Sequence, residues 1–272
     1  MNACKMLVVR LNQRIYGPYG LDGLRVLRNM VKNMLNGIEV EVSEVAVGSR
    51  GWAEAFLEGA DTDVAVRILE ECIGVLPRKP DEFSKGALLK GRVLTLKDDG
   101  LYVDVGLENL VVKVPAQTLR GQLLDVRSMG LEEARRAYML YGEFPVELYV
   151  ERLCRETVEA RLSWRWLRWV EGMAFSGLSQ VYITGLTLRR VKRALGKTRY
   201  RLAVLEYRAL GVLEILMALD PLVDIERFSL WLRKTLNPLG LGFSEPFESS
   251  GELAYAVQDE VGLTVSPPFQ IL

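Results

Sequence analysis

The stretch KDDGLYVDVG, residues 97–106, brings three carboxylates, two strand-forming valines and a tyrosine into ten residues. Two chemistries are open to it. Asp98, Asp99 and Asp104 form a tight acidic group of the kind that holds a magnesium ion in a nuclease. Tyr102 offers a ring on which a nucleobase stacks. The carboxylates have a simpler explanation, because Lys97-Asp98-Asp99-Gly100 reads as a tight turn. The alternation after it predicts a strand that buries Leu101, Val103 and Val105 and leaves Tyr102 on the wetter face. The tyrosine is therefore the residue to explain.

Catalysis finds little support elsewhere. The chain has no histidine, which removes the commonest general base, the commonest metal ligand and every Ser-His-Asp or Cys-His pair. It has no phosphate-binding glycine loop. Cys4, Cys72 and Cys154 are odd in number, far apart and without a CxxC, which argues against a disulfide framework or a zinc site. A protein that is not an enzyme is expected, with no catalytic residue, cofactor or metal.

The elements around the motif follow from composition and periodicity. With 272 residues, 49% of them hydrophobic, the chain can bury a core and divide into two or three domains. No apolar run approaches the roughly 18 residues of a membrane span, and GVLEILMAL is interrupted by Glu214. The N-terminal residues lack the pattern of a secretory signal, so a cytoplasmic protein with no membrane partner is expected. Arginine dominates lysine and amides are few, a faint thermophile signature. Net charge is zero, yet LRRVKRALGKTRYR (188–201) holds seven basic residues and no acid.

The expected fold class is α+β multidomain. Residues 1–80 read as βαββα: MLVVRLN, a helix carrying Leu24, Leu27, Val31 and Leu35, then IEVEVSEVAV, WAEAFLEG, and a helix capped by Asp61 with Val64, Ile68 and Cys72 on its buried stripe. Gly37 is a helix stop, and Pro77 and Pro80 mark a linker. Residues 172–272 repeat the pattern: QVYITG, TLRRVKRAL, YRLAVLEYRALG, VLEILMAL, DIERFSLWLRKTL. The parallel between GWAEAFLEGADTDVAVRI and GVLEILMALDPLVDIERF suggests a duplicated unit. GELAYAVQDEVGLTV is a candidate closing strand, and SPPFQIL is expected to trail along the surface. Such units resemble the ferredoxin-like plan used by RNA-recognition motifs. Arg50-Gly51-Trp52-Ala53-Glu54 begins like the stacking strand of that motif, but Glu54 replaces its second ring, so packing is the better reading of Trp52.

Between them, residues 84–170 resemble an S1-type RNA-binding domain, a five-stranded OB barrel with a helical insert. The resemblance rests on Gly86, Gly91, Val93, Gly100, Tyr102, Val103, Asp104, Leu162 and Ser163 in order. It implies that Tyr102 stacks on a base, that Lys90, Arg92 and Lys113 meet phosphates, and that Arg161 adds a polar contact on the same outer face. Arg189, Arg190, Lys192 and Arg193 are candidate phosphate ligands on the basic helix, although a solvated helix face explains them equally. In SWRWLRWVEG (163–172), stacking on RNA competes with a simpler role for Trp166 and Trp169 as anchors of a linker helix. The order of parts also resembles an archaeal family of uncharacterised conserved proteins. The expected function is RNA binding in translation, transcription or RNA processing; the alternative is a scaffold or assembly factor whose barrel holds a protein partner.

Overall fold

The protein is described by a computed structural model that covers residues 6–244, apart from 78, 80–83, 109, 124–129 and 155–156. Cys4, Pro80, GELAYAVQDEVGLTV and SPPFQIL lie outside the described residues.

The N-terminal unit runs β1 (Leu7–Arg14), α1 (Gly20–Met34), β2 (Val40–Val47), β3 (Trp52–Gly59) and α2 (Thr62–Cys72). Its sheet has the order β1-β3-β2, with one antiparallel bridge from Leu11 to Val75 on the free edge of β1. Alternation along β1 divides the residues between two faces. Val9 and Leu11 join Ala55 and Leu57 of β3 under α1 and α2, while Arg10 and Arg14 turn towards the middle of the chain. On α1 the buried stripe contains Leu27, Val31 and Leu35 as the periodicity predicts. On α2 it is displaced by one residue: Ala65, Leu69 and Ile73 are buried and Val64 is exposed. Asp61 does not cap this helix. Its carboxylate accepts from the Glu39 backbone N–H at 3.0 Å instead, tying the helix start to β2.

Residues 88–162 form a closed barrel of order β4-β5-β6-β8-β7, an OB-like arrangement of β4 (Leu88–Lys97), β5 (Gly100–Asp104), β6 (Val111–Pro115), β7 (Pro145–Leu153) and β8 (Val158–Leu162). Val93, Val103, Val112, Val146 and Ala160 fill it, each fully buried. Two glycines are dictated by closure. A Cβ on Gly91 would lie 2.6 Å from the Asp104 carbonyl oxygen, and one on Gly100 would lie 2.3 Å from that of Val114. Gly100 also takes φ +146°, closing the expected turn with Lys97 as its partner. Two short helices, α3 (Ala116–Gln122) and α4 (Leu131–Ala137), stand between β6 and β7 and bury Leu119 and Ala134 against the barrel core.

The helix α5 (Trp164–Ala174) leaves the barrel through a proper N-cap: Ser163 Oγ accepts from the Trp166 N–H at 3.1 Å and donates to Glu147 at 2.6 Å. Trp166 and Trp169 are buried in the barrel's own cluster, where Trp169 stacks on Phe144 at 5.8 Å. They are anchors. The C-terminal unit follows as β9 (Ser179–Thr184), α6 (Leu188–Leu195), β10 (Val204–Ala209), β11 (Glu214–Leu219), α7 (Ile225–Leu236) and β12 (Gly240–Ser244), in the sheet order β10-β11-β9-β12. Its first three strands thus repeat the order of the N-terminal sheet. The sequence signals had missed β12, a glycine-broken strand, which occupies the edge of β9 corresponding to the lone Val75 bridge beside β1. Val181 and Ile183 face α6 and α7, while Tyr182 and Leu216 belong to the barrel cluster.

Candidate nucleic-acid interface

Tyr102 sits where the alternation puts it, half-exposed on the outer face of β5, paired in register with Lys113 of β6. Its surroundings differ from the open platform expected. The phenol donates to Asp99 Oδ2 at 2.5 Å, and Lys113 Nζ donates to the same oxygen at 2.7 Å. The ammonium groups of Lys97 and Lys113 lie 5.2 and 5.5 Å from the ring centroid. Asp99 is held below its ordinary carboxylate range by the hydrogen bonds from Lys113 and Tyr102, and Lys113 is raised by the hydrogen bond to Asp99. The turn residue Asp99 therefore braces the ring and neutralises the cation beside it. Along the same face Arg161 lies 3.8 Å from Glu151 and over the Tyr149 ring, and Arg152 pairs with Glu159 at 3.0 Å.

Two of the expected phosphate ligands are not on that face. Arg92 has the outward parity but is completely buried, because the flanking units cover β4 there. It donates to the Asn12 carbonyl of the N-terminal unit at 3.2 Å and lies 3.8 Å from Glu214 of the C-terminal unit. Arg92 is a keystone between three parts of the chain, not a contact for RNA. Lys90 is half-buried, and desolvation lowers its ammonium against the favourable charge of Glu147. Asp104, also of outward parity, is buried beside Arg50 at 3.5 Å. Trp52 is fully buried with the Arg14 guanidinium 5.6 Å from its ring centroid, so it packs rather than stacks on a base.

The basic helix looks different. Arg189, Arg190, Lys192, Arg193, Lys197, Arg199 and Arg201 are all exposed, and no acidic side chain among the described residues pairs with any of them. Rings order three of them: Arg190 lies 3.9 Å over Tyr19 and donates to its hydroxyl, Lys192 lies 5.0 Å from Tyr207, and Arg199 lies 5.5 Å from Tyr200. After α6, Lys197, Thr198, Arg199 and Arg201 line a shallow depression of about 480 Å³. Arg189 and Arg190 stand in the first turn of α6, where the helix dipole disfavours cations by about 0.3–1 kcal/mol each. Helix stability does not explain them there. Trp164 adds an exposed ring on α5, with the Arg168 guanidinium 4.8 Å from its centroid.

Among the described residues no group of His, Cys, Asp and Glu is arranged to hold a metal ion, and no helix is long and apolar enough to cross a membrane. Cys72 and Cys154 are free thiols.

Residues 8–79, the N-terminal unit, match the model of the DUF2110 N-terminal domain. No curated protein matches the chain. Among solved structures, the solution structure of GSP13 from Bacillus subtilis is similar over 29% of this chain and 55% of that one, at 16% identity and a TM-score of 0.22. The match thus spans little more than half the length of GSP13.

Proposed function

We propose that the chain is a non-catalytic RNA-binding protein of translation, transcription or RNA processing, with an S1-like barrel set between two ferredoxin-like units. The observation that carries the reading is the run of exposed, acid-free cations from Arg189 to Arg201. Residues 175–244 contain eleven basic and five acidic side chains, and one of those acids, Glu214, is buried beside Arg92. Such a surface captures a polyanion by releasing its counterions. Tyr102 and Trp164 supply rings for limited stacking, which tolerates any base sequence.

A second reading has its own support. The cations of the barrel face are engaged by Asp99, Glu151 and Glu159, which favours a scaffold whose barrel docks a protein partner.

Fluorescence anisotropy with labelled single-stranded RNA across a salt series separates the two. The combined variant Arg193→Ala/Arg201→Ala should bind more weakly and reduce the slope of log K against log salt by about 0.7 per lost phosphate contact. Lys113→Ala should leave that slope nearly unchanged. An unaltered slope in the double variant, or no binding at low salt, would sink the RNA reading.

A further inference from the structure

The two flanking sheets end on corresponding edge strands that are finished differently. β2 and β10 each lie at the edge of their sheet, and each precedes in the chain the strand it pairs with, β3 and β11. A free edge presents unpaired backbone N–H and C=O groups, to which another strand can add unless the edge is blunted. On β2 it is blunted. A bulge interrupts the strand between Val42 and Glu44, both Glu41 and Glu44 are exposed, and Glu41 already faces Glu58 of β3. A further copy of this strand alongside would add acid to acid.

The edge of β10 is open by comparison. Its one irregularity lies at its start, between Val204 and Glu206, and from Glu206 to Ala209 it pairs evenly with β11. Among the described residues no strand pairs with its outer side. Leu202, which leads into it, is 81% exposed, and Leu205 is 54% exposed. Its charges cancel, because Arg208 donates to both carboxylate oxygens of Glu206, at 2.7 and 2.9 Å. These two residues flank Tyr207 and stand across from Leu216 and Ala218 of β11. Leu216 belongs to the barrel cluster, so Glu206 and Arg208 share the face of the sheet turned away from α6 and α7.

We propose that β10 pairs antiparallel with β10 of a second copy of this chain, about a two-fold axis at Tyr207. In that register position 206 stands directly opposite position 208 on one face of the sheet. Glu206 meets the partner's Arg208, and Arg208 meets the partner's Glu206. Such self-complementarity is what a two-fold, isologous interface requires. Leu205 falls opposite the partner's Ala209, which withdraws an exposed apolar side chain from water. The two four-stranded sheets become one. Lys192 lies 5.0 Å from the Tyr207 ring, so the basic helices of both copies stand on the same side of the joined sheet. Their repulsion opposes pairing and is screened at physiological salt, where charges act over about 8 Å. Pairing uses the strand edge and not the α6 cations, so it holds whether or not those cations bind RNA.

Sedimentation equilibrium tests this on the full chain without RNA, over a concentration series at physiological salt. Monomer and dimer should be in exchange. Glu206→Arg places arginine opposite arginine on both sides of the axis, and Arg208→Glu places glutamate opposite glutamate. Each variant alone should dissociate about tenfold more readily or worse, while a cooperative thermal melt shows that it is folded. Mixed in equal amounts, the two variants should associate again, because every arginine then faces a glutamate. A chain that stays monomeric throughout, as it would if residues 251–265 or a different protein covered the strand, overturns the proposal. So does a dimer that survives both substitutions, or a mixture of the two variants that stays monomeric.

Discussion

The two flanking units share a strand order and attach to the same barrel by opposite means. The C-terminal unit is fused to it: Trp166, Trp169, Tyr182, Leu210 and Leu216 belong to one apolar cluster with the barrel interior. The N-terminal unit is held by arginines. Arg10 donates to the Gly106 carbonyl at 2.6 Å, Arg50 to that of Leu107 at 2.8 Å, and Arg14 to Glu143. Apolar burial is non-directional and tolerates sliding, whereas each guanidinium fork fixes one geometry. The difference teaches that similar units can share a sheet order and still serve differently. The first is positioned by directional bonds, and the last shares one apolar core with the barrel.

The largest expected effect tests the fused junction. Trp166 is fully buried and its Nε1–H donates to the Pro145 carbonyl at 2.9 Å. Trp166→Ala should cost about 4 kcal/mol and, in urea melts, carry barrel and C-terminal unit down together. Separate transitions for the two would break the claim of a shared core.

The polar junction should respond to charge matching instead. Arg92→Met leaves Glu214 buried beside the hydroxyl of Tyr16 without its cation, at a cost of about 3 kcal/mol. Adding Glu214→Leu should restore most of that loss, because two matched apolar side chains replace a matched ionic pair. If the double variant is as unstable as the single one, the pair is not what joins the units. On the barrel's open face, Asp99→Asn should free Lys113 and strengthen RNA binding if Tyr102 takes part; unchanged anisotropy would assign that face to something other than RNA.

Much of this architecture is legible in residue periodicity. The N-terminal helices and the barrel strands show the periodicity their burial requires, and glycines at 91 and 100 announce the tight closure, whereas β9 and β11 are buried at every residue. Parity along a strand, however, says only which side a residue takes. It does not say whether another part of the chain covers that side, which is why Arg92 and Asp104 read as exposed and are buried. Arg10, Asn12 and Arg14 alternate on β1 in the same way, and that spacing is the same for a face in solvent and for one that meets the barrel. The turn at Lys97-Asp98-Asp99-Gly100 is legible as well, but the Asp99 carboxylate bracing Tyr102 depends on the turn geometry. The run at 188–201 was legible as charge, while its freedom from acids across the fold was not.

The smallest effect concerns the helix that links barrel to C-terminal unit. Glu171 is a carboxylate on α5, a helix otherwise buried through Trp166, Leu167, Trp169 and Val170. Desolvation raises its pKa to about 7, against a smaller opposing pull from Arg168. An acid raised in the folded state holds a proton that the unfolded chain has released, between the ordinary value of 4.5 and about 7. Stability from this residue is therefore lost as pH rises through that window and stays low above it. Glu171→Gln should stabilise the protein at pH 8 by on the order of 1 kcal/mol, discounted from the full shift because the group keeps some contact with water. At pH 4, where the carboxyl is mostly protonated in both states, the gain should shrink to a small fraction of that. A gain independent of pH would mean that the side chain's shape, and not its charge in an apolar junction, is what the helix resists.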